Sequence, residues 1–350
     1  DYSGGATCPS LLLEPSRTNV FATSEGYYDW SKAGATITVN QGLSPEGVNN
    51  AALFEATQIS QPRIENNVAN VSSVYSTSIF VKKVVGDYFG VGWYQADVGN
   101  SFAKFNIAEG TFDGYDGNEL TSADIVPYGN GWYRISVKLS TSSSTSKSGV
   151  KFVAMSSASA GAGNIGDQFL LYGAQLELGS YPTSYIPTYG VSQTRAQDVC
   201  NDAGDTATFN DSEGVLYAEF NPFFPAGSRQ ITINDGTYNN RIIIEVRENA
   251  TKIKFLVNAS GSNAFEATKN ISVIDTIYKV AVKYSATDCA FFVNGEKVSS
   301  STGTIVMPTG LEFLSFSGRN DTSLLFTSKT KQLIYFPTAL SDLDLAILTG

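Results

Sequence analysis

The side chains with the clearest chemical potential in this sequence are aromatic, since it contains 3 tryptophans, 18 tyrosines and 21 phenylalanines. Such rings stack on the apolar C–H faces of sugars while nearby amides and carboxylates bind the hydroxyls. Trp30 follows Tyr27, Tyr28 and Asp29 in a predicted loop. This cluster predicts either a sugar-binding surface or a ring that closes the end of a β-sandwich, because most rings must form core.

Trp93 and Tyr94 are adjacent in a predicted strand, where successive side chains point to opposite faces. We therefore expect one of them in the core and the other facing a ligand, and the sequence leaves open which. Trp132 belongs to the segment Asn130–Ile135, and we interpret it as a packing residue.

Four further binding candidates lie in polar segments: Tyr115, Tyr238, Arg319 and Asn320. Tyr238 lies in the loop 235–240, and Arg319 and Asn320 lie in the loop 317–321. Guanidinium and amide groups donate hydrogen bonds to sugar hydroxyls and carboxylates, and loops at sheet edges often carry sites. Each of these loops could also be a plain turn.

The stretch from Glu109 to Asp124 contains five carboxylates separated by glycines and polar residues. Such oxygens could hold a structural Ca²⁺ ion, but their spacing does not match an EF-hand loop. They are also the best place to look for the paired acids of a glycosidase, which lie about 5–9 Å apart. We favour a solvated hairpin loop and predict no cofactor beyond that calcium ion. A lyase that uses tyrosine as acid and base remains open, but nothing selects one tyrosine.

The composition excludes several function classes. The sequence has no histidine, which excludes histidine triads and histidine-ligated metal sites. Its net charge is -10 with 23 basic residues, so it lacks the clustered positive charge that binds nucleic acid or anionic bilayers. No apolar run approaches the roughly 18 residues of a membrane span, and we expect no membrane insertion. Because the chain begins without Met or signal-peptide features, we expect a processed or excised piece.

Three cysteines, Cys8, Cys200 and Cys289, leave at least one thiol unpaired within the chain. Cys8 and Cys200 bracket the first half of the sequence, and domain termini often lie close together. A disulfide between them and free thiols in a reducing compartment both stay open. Cys289 lies in an apolar strand pattern and is predicted to be a small core residue.

Most apolar segments alternate with polar residues at a period of two, which is typical of β-strands. In the clearest segment Tyr133, Ile135, Val137 and Leu139 share one face. The other predicted strands are 75–83, 88–95, 152–155, 169–172, 215–220, 241–246, 278–284 and 289–293. The dipeptide Asn294-Gly295 then predicts a type I′ hairpin.

We predict an all-β fold of two β-sandwich (jelly-roll) domains in tandem, residues 1–200 and 201–350, with one short C-terminal helix. The polar segment 201–211 separates the two sets of strands. The helix is predicted from the capping pattern Ser341–Asp344 ahead of the apolar run Leu345–Leu348.

The segment Leu11–Asn19 (LLLEPSRTN) resembles the start of a jelly-roll module found in bacteriophage virion proteins and similar to carbohydrate-binding modules of some glycoside hydrolases. Further blocks agree with the module in order: Trp30–Lys32, Thr36–Asn40, Leu43–Gly47, Ser78–Lys82, Asn130–Ile135, Gly173–Gly179, 181–188 and Thr194–Val199. The resemblance covers about residues 10–200.

Residues 211–350 resemble a concanavalin-type, laminin-G-like sandwich. The segments that carry this resemblance are Val280–Tyr284, Phe291–Val298, Ser317–Asn320 and Tyr335–Asp342. The two modules together resemble the distal part of phage tail fibres, tailspikes or head fibres. This resemblance implies a virion protein that acts extracellularly, with host surface polysaccharide and other virion proteins as partners, and a homotrimer fits the multivalency of weak sites.

Three functions follow as alternatives. The first is a receptor-binding module pair that holds host glycan without cleaving it. The second is a polysaccharide depolymerase, either a glycosidase or a lyase, or its accessory domains. The third is a structural decoration protein without a ligand. An assay on host polysaccharide would separate them, because fold alone does not determine function. Binding without cleavage supports the first alternative, cleavage supports the second, and neither supports the third.

Overall fold

A computed structural model of the chain describes residues 9–68, 73–95, 99–117, 120–140, 148–156, 162–222, 227–247, 251–272 and 276–350. Cys8, Asn118, Glu119 and residues 141–147 of the Ser/Thr-rich run lie outside the described residues. In the described part the backbone forms 25 strands and one helix. The prediction of an all-β fold with one short C-terminal helix is therefore confirmed.

The chain divides into two compact units. The N-terminal unit is Ser16–Ala196, and the C-terminal unit combines residues 9–15 with Gln197–Gly350. The predicted boundary at residue 200 places residues 9–15 in the N-terminal domain. In the structure these residues belong to the C-terminal unit.

Strand pairing explains this difference. β1 (Leu11–Leu12) pairs antiparallel with Thr330 and Lys329 of the C-terminal unit, and Leu13 is buried in that unit's core. The segment that resembled the start of the first module is thus shared, because its three leucines belong to the C-terminal unit and Arg17–Asn19 belongs to the N-terminal unit.

The N-terminal unit contains fourteen strands in its described residues. They are β2 (Arg17–Asn19), β3 (Ser31–Ala33), β4 (Ala35–Gly42), β5 (Ala51–Ala56), β6 (Arg63–Val68), β7 (Val74–Val85), β8 (Tyr88–Gln95), β9 (Gly99–Asn106), β10 (Thr111–Asp116), β11 (Leu120–Gly129), β12 (Trp132–Ser140), β13 (Ser148–Met155), β14 (Gln168–Leu178) and β15 (Gln193–Arg195). Two six-stranded antiparallel sheets form, in the orders β10-β9-β8-β13-β6-β3 and β11-β12-β7-β14-β5-β4, and β15 pairs with β2. The alternating apolar side chains of both sheets share one core.

Asn19, at the end of β2, connects the first segment of the N-terminal unit to other parts of that unit by hydrogen bonds. Its side chain is fully buried. Nδ2 donates to the carbonyl oxygens of Ala174 and Ile186 at 3.1 and 2.9 Å. Oδ1 accepts from the backbone N–H groups of Phe21 and Leu176 at 3.2 and 3.1 Å. One amide therefore satisfies four backbone groups from three segments that would otherwise be buried without partners.

The C-terminal unit contains β1 and ten further strands in its described residues. They are β16 (Glu213–Asn221), β17 (Arg229–Asn234), β18 (Arg241–Arg247), β19 (Lys252–Ala259), β20 (Ser262–Asn270), β21 (Tyr278–Ser285), β22 (Cys289–Val293), β23 (Glu296–Ser301), β24 (Phe313–Ser315) and β25 (Lys329–Phe336). The sheets have the orders β1-β25-β16-β21-β22-β23 and β20-β19-β18-β17-β24. Their inner faces share a second core, which includes Cys289 as predicted.

The predicted hairpin and helix are both confirmed. Asn294 and Gly295 have φ angles of 49° and 78°, and Val293 pairs with Glu296 across the turn. α1 (Asp342–Thr349) begins after Ser341, whose hydroxyl accepts the N–H of Asp344 at 3.2 Å. Helix α1 covers the outer face of β21 and β22.

The described cysteines are free thiols. Cys289 is buried, and burial raises its pKa to about 11. Cys200 is half-buried, and burial also raises its pKa. Neither thiol is activated as a nucleophile, because activation requires a lowered pKa.

Candidate functional site

The loop between β17 and β18 is held in shape by one carboxylate. Asp235 Oδ1 accepts the N–H and the hydroxyl of Thr237 at 2.8 and 2.6 Å, and Oδ2 accepts from Asn240 Nδ2 at 2.8 Å. Burial alone would raise the pKa of Asp235, but these hydrogen bonds outweigh it and the pKa lies below its ordinary value. Because both sides of the loop are tied to Asp235, Tyr238 at its tip is presented by a rigid turn.

A second loop, after β24, is organised in the same way. Asp321 Oδ1 accepts the N–H and the hydroxyl of Ser323 at 2.7 and 2.5 Å. Its Oδ2 accepts from Arg319 Nε at 2.5 Å. Partial burial would raise the pKa of Asp321, but the hydrogen bonds from Ser323 and Arg319 lower it overall. The hydrogen bond to Asp321 also raises the pKa of Arg319.

Tyr238 joins the two loops. Its hydroxyl donates to Ser323 Oγ at 2.6 Å, across 85 residues of sequence. The guanidinium carbons of Arg241 and Arg319 each lie 4.7 Å from the centre of its ring, which is within the range of cation–π attraction. The side chain is nevertheless 39% exposed. The loops thus present an ordered tyrosine, whose ring is already engaged by cations.

Close approach of Tyr238 depends on Gly318. A Cβ atom at position 318 would lie 3.3 Å from Tyr238 Cε1 and 3.1 Å from Ser323 Oγ. Such distances are tighter than ordinary van der Waals contact, so the absence of a side chain lets the two loops meet.

Arg241, the first residue of β18, contacts both loops, through the ring of Tyr238 and the carbonyl of Gly318. It is buried, and Nη1 donates to the carbonyl of Gly318 at 2.7 Å and to Gln230 Oε1 at 3.1 Å. Burial lowers its pKa, while Tyr238 and nearby carboxylates oppose that shift. The residue keeps its charge, because arginine is not deprotonated in proteins.

Asn320 completes the surface. Its Nδ2 donates to Asp202 Oδ1 at 3.2 Å, and Asn201 Nδ2 donates to the carbonyl of Asp321 at 2.5 Å. We refer to Tyr238, Arg319, Asn320, Asp321 and Ser323 as the Tyr238 surface. The structure therefore brings together three of the residues predicted from sequence: Tyr238, Arg319 and Asn320.

The two predicted tryptophans lie elsewhere and are core residues. Trp30 is 3% exposed, stacks on Phe152 with ring centres 5.6 Å apart, and donates its indole N–H to the Thr23 carbonyl at 2.9 Å. Trp93 is also buried in the same core. Neither ring offers a free face to a ligand. Of the two alternatives predicted for Trp30, the structure agrees with the ring that closes the sandwich.

The strand alternation of Trp93 and Tyr94 is as predicted, because Tyr94 lies on the opposite sheet face and is half-buried. The ammonium of Lys151 lies 4.8 Å from the centre of its ring. Trp132 is buried and donates its indole N–H to the Leu43 carbonyl at 3.2 Å, which agrees with a packing role.

Tyr115 lies on β10, the edge strand of its sheet. It is exposed and packs against Phe112, with ring centres 4.7 Å apart, across a register shift in β10. Burial of part of the ring raises the pKa of Tyr115. Tyr115 belongs to the N-terminal unit, whereas the Tyr238 surface belongs to the C-terminal unit.

The acidic stretch forms strands rather than one loop, since Asp113 and Asp116 lie on β10 and Asp124 on β11. Asp113 forms an ion pair with Lys104 at 2.9 Å. Among the described residues no group of three or more Asp, Glu or Cys side chains is placed to hold a metal ion. Asn118 and Glu119 of the acidic stretch lie outside the described residues, so the calcium ion considered above stays a prediction.

Sequence reasoning missed Arg241 and Ser323. A signal for Arg241 exists, because a charged residue that opens the apolar run Ile242–Ile244 must be exposed or paired. Ser323 carries no such signal, because its partner lies 85 residues away.

Residues 202–346 match a family model described as the concanavalin A-like lectin/glucanases superfamily. This part of the chain has a concanavalin A-like, laminin G-like fold. The match agrees with the resemblance seen in residues 211–350 of the sequence. No curated protein matches the chain.

Solved structures resemble the chain at low identity. The CBM40 module of the Ruminococcus gnavus IT-sialidase, bound to α2,3-sialyllactose, is 15% identical over 42% of this chain and 91% of that one, with a TM-score of 0.36. A heptameric SAP-like pentraxin from Limulus polyphemus is 11% identical over 43% and 74%, with a TM-score of 0.33. Domains LG4-5 of the mouse laminin α1 chain are 12% identical over 92% and 94%, with a TM-score of 0.27. At these identities the resemblance concerns the fold alone.

No helix in the described part of the chain has the length and apolar character needed to cross a bilayer.

The lowered pKa of Asp321 gives a test of the loop geometry. A carboxyl whose pKa is lower in the folded than in the unfolded chain stabilises the fold at pH values above its ordinary pKa, which is 3.8 for this group. That contribution is lost as the pH falls through the folded pKa. We therefore expect Asp321→Asn to destabilise the C-terminal unit by about 1 kcal/mol at pH 6, a modest value for a partly exposed group.

The difference between wild type and Asp321→Asn should shrink below pH 3.8 and vanish under strong acid, as measured by thermal unfolding from pH 6 to pH 2.5. A difference that stayed constant over this range would show that the Asp321 charge does not stabilise the loop.

Proposed function

We propose that this chain is a non-catalytic glycan-binding protein, and that the Tyr238 surface of the C-terminal unit holds the saccharide. The observation that carries the proposal is the assembly of Tyr238, Arg319 and Asn320 into one ordered surface from two distant loops. The lectin/glucanases family match over residues 202–346 supports it.

The chemistry of this surface suits hydroxyl-rich ligands. Arg319 and Asn320 supply N–H donors, Asp321 supplies acceptors, and part of Tyr238 is exposed. Because cations already engage the ring of Tyr238, its main contributions are its edge and its hydroxyl rather than a free stacking face. Loops that are tied down in advance also lose little conformational entropy on binding.

The carboxylates that organise the two loops, Asp235 and Asp321, favour binding over cleavage. A glycosidase needs a carboxylic acid with a raised pKa to protonate the leaving oxygen. Asp321 and Asp235 have lowered pKa values and stay ionised at neutral pH.

Elsewhere in the C-terminal unit, a cleft of about 460 Å³ is lined by Asp211. The carboxylate oxygens of Asp211 accept the N–H groups of Gly310 and Leu311 at 2.7 and 2.9 Å.

We further propose that the protein is the host-recognition part of a bacteriophage tail fibre or spike, located in the virion and acting extracellularly beside other virion proteins. Support for this part comes from the sequence resemblance of residues 10–200. Single shallow sites bind weakly, so a homotrimer would raise the avidity for a repetitive surface polysaccharide.

Arg319→Ala is expected to weaken glycan binding about 10- to 100-fold, because a charged hydrogen-bond donor contributes about 1.5–3 kcal/mol. Binding would be measured first on a glycan array and then by titration of the best-bound oligosaccharide. A reducing-end assay on the same glycans should show no cleavage.

Arg247→Ala is the matched control. Arg247 is exposed at the opposite end of β18, six residues from Arg241, which places it about 20 Å away. We expect its binding to equal that of wild type. Equal binding by Arg319→Ala and wild type would refute the Tyr238 surface as the site, and release of reducing ends would support a depolymerase instead.

A further inference from the structure

A second surface with binding chemistry lies on the N-terminal unit, on the sheet face opposite the core. Strands β8, β9 and β13 are neighbours there. Tyr94 of β8 and Lys151 of β13 lie on this face, and the exposed Asn100 of β9 adjoins them. We refer to Tyr94, Asn100 and Lys151 as the Lys151 face.

Lys151 is only 6% exposed, which is unusual for a lysine. Gly92 lies directly opposite it on β8, and the ring of Phe102 fills the space above that glycine. The lysine stem is therefore buried along the sheet, while its ammonium donates to the exposed Asn100 Oδ1 at 2.6 Å. The buried ammonium is thus hydrogen-bonded to a side chain that is itself exposed to solvent.

Among the described residues, no carboxylate forms an ion pair with Lys151. Glu65 lies opposite Lys151 on β6, but its Oε2 accepts from Arg63 Nε at 2.7 Å. The other lysine of this face, Lys104, forms an ion pair with Asp113 at 2.9 Å. In the described part of the chain the Lys151 ammonium contacts an amide oxygen and a ring, both of which are neutral.

A buried cation without a counter-ion is costly in free energy, and an incoming anion would lower that cost. In keeping with this, burial lowers the pKa of Lys151, Arg63 lowers it further, and Glu65 only partly opposes the shift. A tyrosine ring and an amide beside an uncompensated ammonium are the groups that bind a sugar carrying a carboxylate.

We infer that the Lys151 face is a second saccharide site, selective for acidic sugars, with Lys151 binding the carboxylate, Asn100 a hydroxyl and Tyr94 the sugar ring. The inference rests on the proposed glycan-binding function and assigns the N-terminal unit a ligand class different from that of the Tyr238 surface. It also explains why a protein of net charge -10 keeps on a sheet face a lysine that forms no ion pair with the described residues.

The test compares oligosaccharides of galacturonate, glucuronate and sialic acid with their carboxyl-reduced counterparts, which have the same linkages but no charge. We expect wild type to bind at least one acidic oligosaccharide about tenfold more tightly than its reduced counterpart. Lys151→Met should abolish that preference. Lys104→Met, on the same face but already paired with Asp113, should retain it.

Asn100→Asp is the second variant, because Asn100 is exposed and its replacement should not prevent folding. The new carboxylate would neutralise Lys151, so the acid preference should also disappear. The inference is overturned if no acidic oligosaccharide is preferred, or if both variants keep the preference. If wild type binds neutral glycans but prefers no acidic oligosaccharide, this inference alone is overturned, whereas absence of all glycan binding by wild type would overturn the proposed function as well.

Discussion

Asn19→Ala is expected to destabilise the N-terminal unit by about 4 kcal/mol, the largest effect that we predict for a polar residue. The alanine would remove partners from four buried backbone groups, two carbonyls and two N–H groups. A buried polar group without a partner costs about 1–3 kcal/mol, and local relaxation recovers part of the sum.

Tryptophan fluorescence during urea denaturation would measure this effect selectively, because Trp30, Trp93 and Trp132 all belong to the N-terminal unit. Asn67→Ala provides the control. Asn67 is exposed on β6, and its replacement should change the unfolding free energy by less than about 0.5 kcal/mol. If the two variants unfolded at the same urea concentration, the Asn19 amide would not be what holds these segments together.

Trp30→Ala should cost about 3–5 kcal/mol of N-terminal unit stability, because it removes a large buried ring and leaves a cavity. The lost contacts include the stack on Phe152 and the edge contacts with Phe21 and Tyr27, at ring-centre distances of 4.7 and 5.4 Å. The fluorescence of Trp93 and Trp132 would still report unfolding.

Tyr28→Ala is the informative comparison for Trp30, since Tyr28 lies in the same aromatic cluster of the sequence but is 70% exposed. We expect a stability change of less than about 0.5 kcal/mol for this variant. Under conditions where Trp30→Ala is folded, its glycan binding should equal that of wild type. A stable Trp30→Ala protein that no longer bound glycan would instead restore Trp30 as a binding residue.

Much of the fold was predictable because its signals are local. A period of two in apolar residues depends only on the strand itself, so strands such as β12 and β21 are visible in the sequence. The hairpin at Asn294-Gly295 is equally local, since it depends on two positive φ angles. The helix cap at Ser341 depends on one hydroxyl and the following turn.

The candidate sites were predictable only in part. Loop composition led to Tyr238, Arg319 and Asn320, because polar, glycine-containing loops can present side chains to solvent. The same reasoning selected Trp30, which is buried, and gave no sign that Lys151 is buried, because residue type predicts burial poorly when a side chain is both large and polar-tipped. Lys151 looks like an ordinary surface lysine until Gly92 and Phe102 are placed beside it.

Strand periodicity, turn residues and the helix cap established the all-β architecture, the hairpin and the C-terminal helix from sequence alone, since each depends on a few consecutive residues. Long-range pairing established everything else. It placed Leu11–Leu13 in the C-terminal unit, buried Trp30 and Lys151, and joined Tyr238 to Ser323. These outcomes depend on which distant segments become neighbours, and that information is shared among many residues rather than carried by any short motif.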